Sequence, residues 1–283
     1  MERLHKNVIT ATDIASQFWC EKQMELNYIC KPTPTKAMEK GAKMHEQWQA
    51  KVYVPLAVET RSYFDFLYKC AYENFMNLQR LKRESIGREI MLYGSMNGYK
   101  FSGKVDELRL QDGKVVIAED KTVYKADGID EAHSRPHIVQ IMLYRKMLED
   151  LRNKSYSYEN FANVYKIRGA KLSEEFAKGL REIGLKEEYL SIENMFVKMF
   201  GELQSMPELS DYLEIRYTDR KSGQSVKEII VKYEADKITN DISYAMAYWR
   251  GEREASPVTE AEKWKCNSCK FFGNQCKVWW AGG

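Results

Sequence analysis

No stretch of this chain approaches the roughly 20 consecutive apolar residues that a membrane-spanning helix needs. Its first residues, MERLHKNVITATD, also lack the apolar run of a secretory signal. Neither charge sign dominates: 44 Lys and Arg against 41 Asp and Glu leave a net charge of +3. Nucleic-acid binding would therefore have to come from a local patch, because the overall charge does not demand it. Internal repeats and low-complexity segments are missing too, which excludes a repeat array or a disordered tract. The expected compartment is the cytoplasm, or the nucleus or mitochondrion in a eukaryote, with no membrane association. That setting is reducing, so the six cysteines are expected to bind metal or be buried rather than form disulfides.

What is present is an ordinary globular balance, 44% hydrophobic and 30% charged over 283 residues. That length suffices for one sizeable core, or one core carrying an inserted subdomain. Thr10, Thr12 and Asp13 are N-cap candidates for a short helix ending near Cys20. After Pro32 and Pro34, residues 35–53 show helical spacing with Met44, Trp48 and Val52 on one face. Residues 61–83 predict a second helix with a basic end (Arg80, Lys82, Arg83). From Ile86, three strand-like runs are separated by Asn97-Gly98 and Asp112-Gly113, two favoured hairpin turns, which predicts an antiparallel meander. A helix over 133–151 follows, then FANVYKI (161–167) as a strand, helices within 171–206, a hairpin of 212–218 with 226–233, and a final helix over 236–250. The expected organisation is an N-terminal helical part (1–60), a helical arm (61–85), a core of sheet and helix (86–168), an insertion (169–233), and a last helix with a cysteine-bearing C-terminal module (234–283).

The meander holds the residues with the most chemistry. Alternation puts Glu119 and Lys121 on one face of their strand, about 7 Å apart, and the hairpin brings Asp106 near Glu119. Two carboxylates with water and phosphate suit Mg²⁺ or Mn²⁺, and a neighbouring lysine can orient water or stabilise charge on phosphate. Taken alone, a Glu-x-Lys on a strand is far more often the solvated charge ladder of a half-buried strand. Upstream, Gly41 precedes His45 by four residues; downstream, Gln140 and Tyr144 share a helix face.

Near the C-terminus Cys266 and Cys269 form a C-x2-C pair, and Cys276 follows. A tetrathiolate zinc or a cubane cluster needs a fourth thiolate, for which Cys20, Cys30 and Cys70 are candidates. Spacing does not choose among them, nor between zinc and iron–sulfur.

The series Gly-x3-His45, Gly-x2-Asp106, Glu119-x-Lys121, Gln140-x3-Tyr144 resembles the RecB-type branch of the PD-(D/E)xK nuclease superfamily. The stretch YWRGEREASPVTEAEKWKCNSCKFFGNQC resembles its iron–sulfur members, the exonuclease V family above all, with CRISPR-associated relatives sharing the architecture. The resemblance implies an α/β (α+β) fold: a restriction-endonuclease-like core with a central mixed sheet flanked by helices, closed by a C-terminal iron–sulfur module. It implies a metal held by His45, Asp106, Glu119 and the backbone carbonyl of Asp120, although the Asp120 side chain should point to the other strand face. Lys121 would be the catalytic lysine, acting with Asp106 and Glu119. Gln140 and Tyr144 would flank the site. A 4Fe–4S cluster would sit on Cys20, Cys266, Cys269 and Cys276, although Cys20-Glu21-Lys22 departs from the family's Cys-Pro-Arg. The implied activity is exonucleolytic hydrolysis of single-stranded DNA in repair or replication, by a monomer working beside a single-strand-binding protein or other repair factor. A spacer-trimming nuclease and a catalytically silent DNA scaffold are the alternatives. Arg135 and Arg145 are candidate phosphate contacts or a solvated face, and helix 61–83 is a candidate DNA-guiding arch.

Overall fold

The computed structural model describes residues 4, 6–33, 39–44, 46, 55–96, 98–124 and 129–278. Its sheet is organised by tight turns. Asp112 and Gly113 both adopt positive φ (50° and 77°), as a type I′ two-residue hairpin requires. They join β3 (Tyr99–Gln111) to β4 (Lys114–Val123), and β2 (Ile86–Met96) pairs antiparallel with β3 on its other side. The predicted meander is present. Gly98 has φ 80°, whereas Asn97 lies outside the described residues.

Before the meander come β1 (Ile9–Thr10) and α1 (Ala11–Cys30). Thr10 caps α1 reciprocally: its hydroxyl accepts from the Asp13 N–H at 3.1 Å, and the Asp13 carboxylate accepts from the Thr10 N–H at 2.7 Å. At Cys20 the backbone is extended (φ −168°, ψ 112°), so the helix is kinked there, where the first helix was expected to end. Residues 39–44 are helical; most of the remaining helix expected over 35–53 falls outside the described residues. Helix α2 (Tyr63–Glu84) precedes the meander. After it come α3 (Glu131–Arg152), α4 (Tyr158–Tyr165), α5 (Glu174–Glu182), α6 (Ile192–Gln204), β5 (Glu208–Leu209), β6 (Tyr212–Asp219), β7 (Ser225–Lys232), α7 (Ala235–Arg250) and a 3₁₀ segment, Glu260–Ser268.

The seven strands among the described residues form one mixed sheet, β1-β3-β4-β6-β7, with β2 on β3 and β5 on β4. Helix α3 crosses β2, β3, β4 and β6 and buries Val139, Ile141, Met142, Leu143 and Leu148 completely. Each such side chain contributes about 1.5–3 kcal/mol by leaving water. None of the helices of the described residues is long and apolar enough to cross a membrane.

Three expectations are corrected. FANVYKI is not a strand: Ser157 and Asn160 form a capping box, and Phe161, Ala162 and Tyr165 fall on one buried helical face of α4. Residues 169–233 are not a separate insertion: β6 runs parallel to β4 from Ala118↔Glu214 to Val123↔Asp219, and α6 packs on α2. Nor is 61–85 a free arm. Asn74 exchanges two hydrogen bonds with the Met91 backbone (3.0 and 2.9 Å), pinning α2 to β2, and Lys82 and Arg80 are engaged by Glu202 and Glu84.

Candidate active site

β3 and β4 pair from Gln111↔Lys114 to Glu107↔Ala118 and then part, β4 continuing beside β6. Asp106 and Glu119 are the first residues past the last pair, so they flank the opening of the fork. The Asp106 carboxylate accepts the Asp120 N–H at 2.9 Å, which closes one backbone donor that the parted ladder leaves over. Lys121 Nζ donates to Glu119 Oε1 at 2.6 Å and to Gln140 Oε1 at 2.9 Å; Gln140 Nε2 then donates to the Tyr144 hydroxyl at 2.8 Å. Tyr144 reaches the sheet because Gly103 has no side chain: a Cβ there would lie 2.6 Å from the tyrosine ring.

Electrostatically the cluster is unfinished. Glu119 is 2% exposed, and its Oε2 is buried with no hydrogen-bond partner among the described residues. Burial, with repulsion from Asp106, pushes its carboxyl up to about 8 against the pull of Lys121. Burial also works against the Lys121 ammonium, but Glu119, Asp106 and Asp120 outweigh it and hold its pKa above the ordinary value. Burial and the two carboxylates raise Tyr144 well above an ordinary phenol, so it stays a neutral donor.

Asp120 points to the opposite face, as alternation predicts. There it meets Arg88 (3.1 Å) and Arg216 (2.9 Å), and both arginines also pair with Glu107.

Two clefts of about 540 and 620 Å³ meet at Thr12, Lys121 and Gln140. The larger contains Asp106, Glu119 and Tyr144, with Glu73 and Glu89 farther along it. The smaller runs past His137, Tyr217, Tyr124, His133 and Trp19. His137 was not singled out from the sequence, although it stands three residues before Gln140, on the same helix face. Its Nδ1 lies 2.9 Å from the Tyr217 hydroxyl, and burial beside Lys121 lowers its pKa to about 3, so it is neutral.

Not every predicted residue is gathered here. His45 lies outside the described residues. The helical stretch before it does approach β4, since a Cβ on Gly41 would lie 3.1 Å from Thr122 Oγ1. Arg145 is turned away: it is 6% exposed and holds the Ser210 carbonyl and Glu149. One residue past Tyr144 is a 100° turn of the helix, which takes Arg145 off the site face. Arg135 pairs with Asp241 of α7 at 2.6 Å and covers the Phe18 ring. Neither arginine lines the clefts.

Cys20, Cys266, Cys269 and Cys276 line one cavity with Leu26, Val258 and Phe271. Burial raises the thiols of Cys20, Cys266 and Cys276, and charge repulsion among the cysteines adds to it. The Gln23 side chain and backbone donate to Cys269 Sγ (3.3 Å) and Cys20 Sγ (3.4 Å). Free thiols in an apolar shell with N–H donors suit an iron–sulfur group. Among the described residues no three His, Cys, Asp or Glu are drawn together as a cage for a single metal ion. Cys30 is exposed, and Cys70 lines the larger cleft instead.

A sequence profile described as "Exonuclease V - a 5' deoxyribonuclease" matches residues 2–114, 109–195 and 184–280. Exonuclease V of Danio rerio is 23% identical over 96% of this chain and 70% of its own length. The crystal structure of SSO0001 superposes with a TM-score of 0.40 at 13% identity, covering 95% of this chain and 89% of the other. Matched by the profile from residue 2 to residue 280, the chain belongs to the exonuclease V family of deoxyribonucleases.

Proposed function

We propose that this chain is a divalent-metal-dependent exonuclease of the PD-(D/E)xK type, hydrolysing single-stranded DNA from an end in repair or replication. The observation that carries this reading is the pair Asp106 and Glu119 at the strand fork, with one Glu119 oxygen buried beside Lys121 and unpartnered among the described residues. A buried carboxylate left short of a partner is costly, and a bound cation removes that cost. The family's description makes the 5′ end the expected point of attack.

Asp106 and Glu119, with His45 and the Asp120 carbonyl by resemblance, would hold Mg²⁺ or Mn²⁺, which supplies Lewis-acid charge and lowers the pKa of water. The chain's own residues do the positioning. Lys121, fixed between Glu119 and Gln140, presents a cation to the scissile phosphate, where negative charge grows during attack. Gln140 holds the Lys121 ammonium in place and is itself held by Tyr144, whose neutral hydroxyl stays a hydrogen-bond donor at the cleft wall. Asp106 is oriented by the Asp120 N–H and cannot swing away without exposing that donor.

We propose equally that Cys20, Cys266, Cys269 and Cys276 hold a 4Fe–4S cluster that fastens α1 to the C-terminal segment. Anaerobic purification should give a brown protein with absorbance near roughly 400 nm; a colourless protein containing zinc overturns this assignment.

The activity is tested with 5′- and 3′-labelled single strands and a circular single strand, in Mg²⁺ and Mn²⁺, against Asp106→Ala and Lys121→Ala. Shortening of linear but not circular DNA, from the 5′ end and lost in both variants, is expected. Equal degradation by all three proteins overturns the site.

A further inference from the structure

The two clefts that meet at Lys121 differ in chemistry. Among its described lining residues, the larger carries four carboxylates, Glu73, Glu89, Asp106 and Glu119, against two lysines, Lys104 paired with Glu89 and Lys121 paired with Glu119. The smaller has none among its described lining residues, and is walled instead by Trp19, Tyr124, His133, His137 and Tyr217. Three of these rings retain solvent access at the groove: Tyr124 is 49% exposed, the His133 side chain 38%, and Trp19 is half-buried. Cations back two of these rings: Lys265, itself buried and paired with Glu262, sits 4.6 Å from the Trp19 ring centroid, and the Arg220 guanidinium lies 4.4 Å from that of Tyr124.

From this asymmetry we infer that the single-stranded part of the substrate lies in the ring-lined cleft, its bases stacked on Trp19, His133 and Tyr124, with the scissile phosphate at the Lys121–Gln140 junction. The inference rests on the nuclease reading above and adds the direction in which the strand leaves the site. Once Asp106 and Glu119 hold the cation, the larger cleft still presents Glu73, and its Lys104 is paired with Glu89, so a phosphate backbone gains little by following that wall beyond the scissile position. Aromatic faces beside cations are what hold single strands without reading sequence, because every base has a π-face.

The platform is built rather than incidental. His133 stacks on Trp264 (4.6 Å between centroids, 29°), and Trp19 meets Trp264 edge-on at 5.7 Å. Asp130, the N-cap of α3, fixes the His133 ring at Nδ1 (2.7 Å). Lys265 Nζ holds the Trp19 carbonyl at 3.3 Å. The rings are thus held in place before any base arrives, so little ordering entropy remains to be lost on binding.

The test measures binding separately from cleavage. Full-length protein carrying Lys121→Ala, in Ca²⁺, is titrated with a fluorescent oligo-dT of about 20 nucleotides, and then with oligomers bearing one abasic position at successive distances from the 5′ end. Tyr124→Ala, whose exposed side chain can be removed without disturbing the core, and Trp19→Phe and Trp19→Ala are compared with Phe66→Ala on the carboxylate cleft (Phe66 is 54% exposed). Tyr124→Ala and Trp19→Ala should each weaken binding about ten-fold, within the range known for one lost base–aromatic stack. Trp19→Phe and Phe66→Ala should change it less than about two-fold. One or two abasic positions should weaken the parent but not add to the loss in Trp19→Ala. If the oligomer binds and only Phe66→Ala weakens it, the strand lies in the other cleft and the inference is overturned. If the oligomer binds and the tyrosine and tryptophan variants match the parent, the rings take no part and it is equally overturned. If the parent binds no single strand at all, the nuclease reading itself fails.

Discussion

One strand, β4, carries two charged faces that behave differently. On one, Asp120 lies between Arg88 and Arg216, both shared with Glu107, which Arg109 also meets, so two buried carboxylates face three guanidiniums. On the other, Asp106 and Glu119 face Lys121, and Glu119 Oε2 has no partner among the described residues. The residues are adjacent in sequence, equally buried and chemically alike. Buried charge is structural where it is matched within the fold, and on the proposed reading it serves chemistry where, as at Glu119, an oxygen has no partner among the described residues.

The comparison can be broken in several ways. The largest expected effect is on turnover: Asp106→Ala or Glu119→Gln should slow single-turnover cleavage by about 10³-fold or more with the circular dichroism spectrum unchanged. A comparable loss from a substitution on the Arg216 face, without unfolding, would erase the distinction between the faces. Next, Arg216→Ala should cost about 3 kcal/mol in urea unfolding, because it strips a partner from both Glu107 and Asp120. Smaller and opposite in sign, Glu119→Gln should stabilise the metal-free protein at pH 7.5 by about 1 kcal/mol or more, since it removes a carboxyl that burial forces to stay largely protonated well above its ordinary pKa. Unchanged or lower stability would mean that Lys121 alone satisfies Glu119.

A further effect depends on pH and grows as the pH falls. His137 faces Lys121, His133 and the Tyr217 hydroxyl, and its folded pKa of about 3 lies below its ordinary 6.5. The unfolded chain therefore binds the extra proton, so the stability tied to neutral His137 is complete above pH 6.5 and drains as pH falls toward 3. The slope is at most about 1.4 kcal/mol per pH unit. His137→Asn should flatten the fall in stability between pH 6.5 and 5; an unaltered slope would show that the ring is not held neutral.

Much of the site was legible because its geometry is local. Asp112-Gly113 dictates the hairpin, the hairpin sets Asp106 opposite Glu119, and two-residue alternation delivers Lys121 and turns Asp120 away. Gln140 and Tyr144 follow from helical spacing in the same manner. What was not legible depends on distant partners. The parallel pairing of β6 with β4 leaves no mark on either segment, so residues 169–233 read as an insertion. FANVYKI reads as a strand through its β-branched and aromatic residues, and only its packed face shows the helical period. Arg145 looked available because it is charged and near Tyr144, yet its carbonyl partner, Ser210, is 65 residues away. His137 was overlooked for a simpler reason: no other element of the motif pointed to it.

Trp19 and Gln23 each line both the ring-walled cleft and the four-cysteine cavity, so a single partition serves two compartments. One side of that partition is completed by Pro257, Lys265, Cys266 and Phe271, more than 230 residues later in the chain. During synthesis the meander with Asp106, Glu119 and Lys121 can form early, whereas the backing of Trp19 and His133 must wait for Trp264 and Lys265 to emerge. A nascent chain therefore carries its carboxylates and lysine before the rings beside them are held in place.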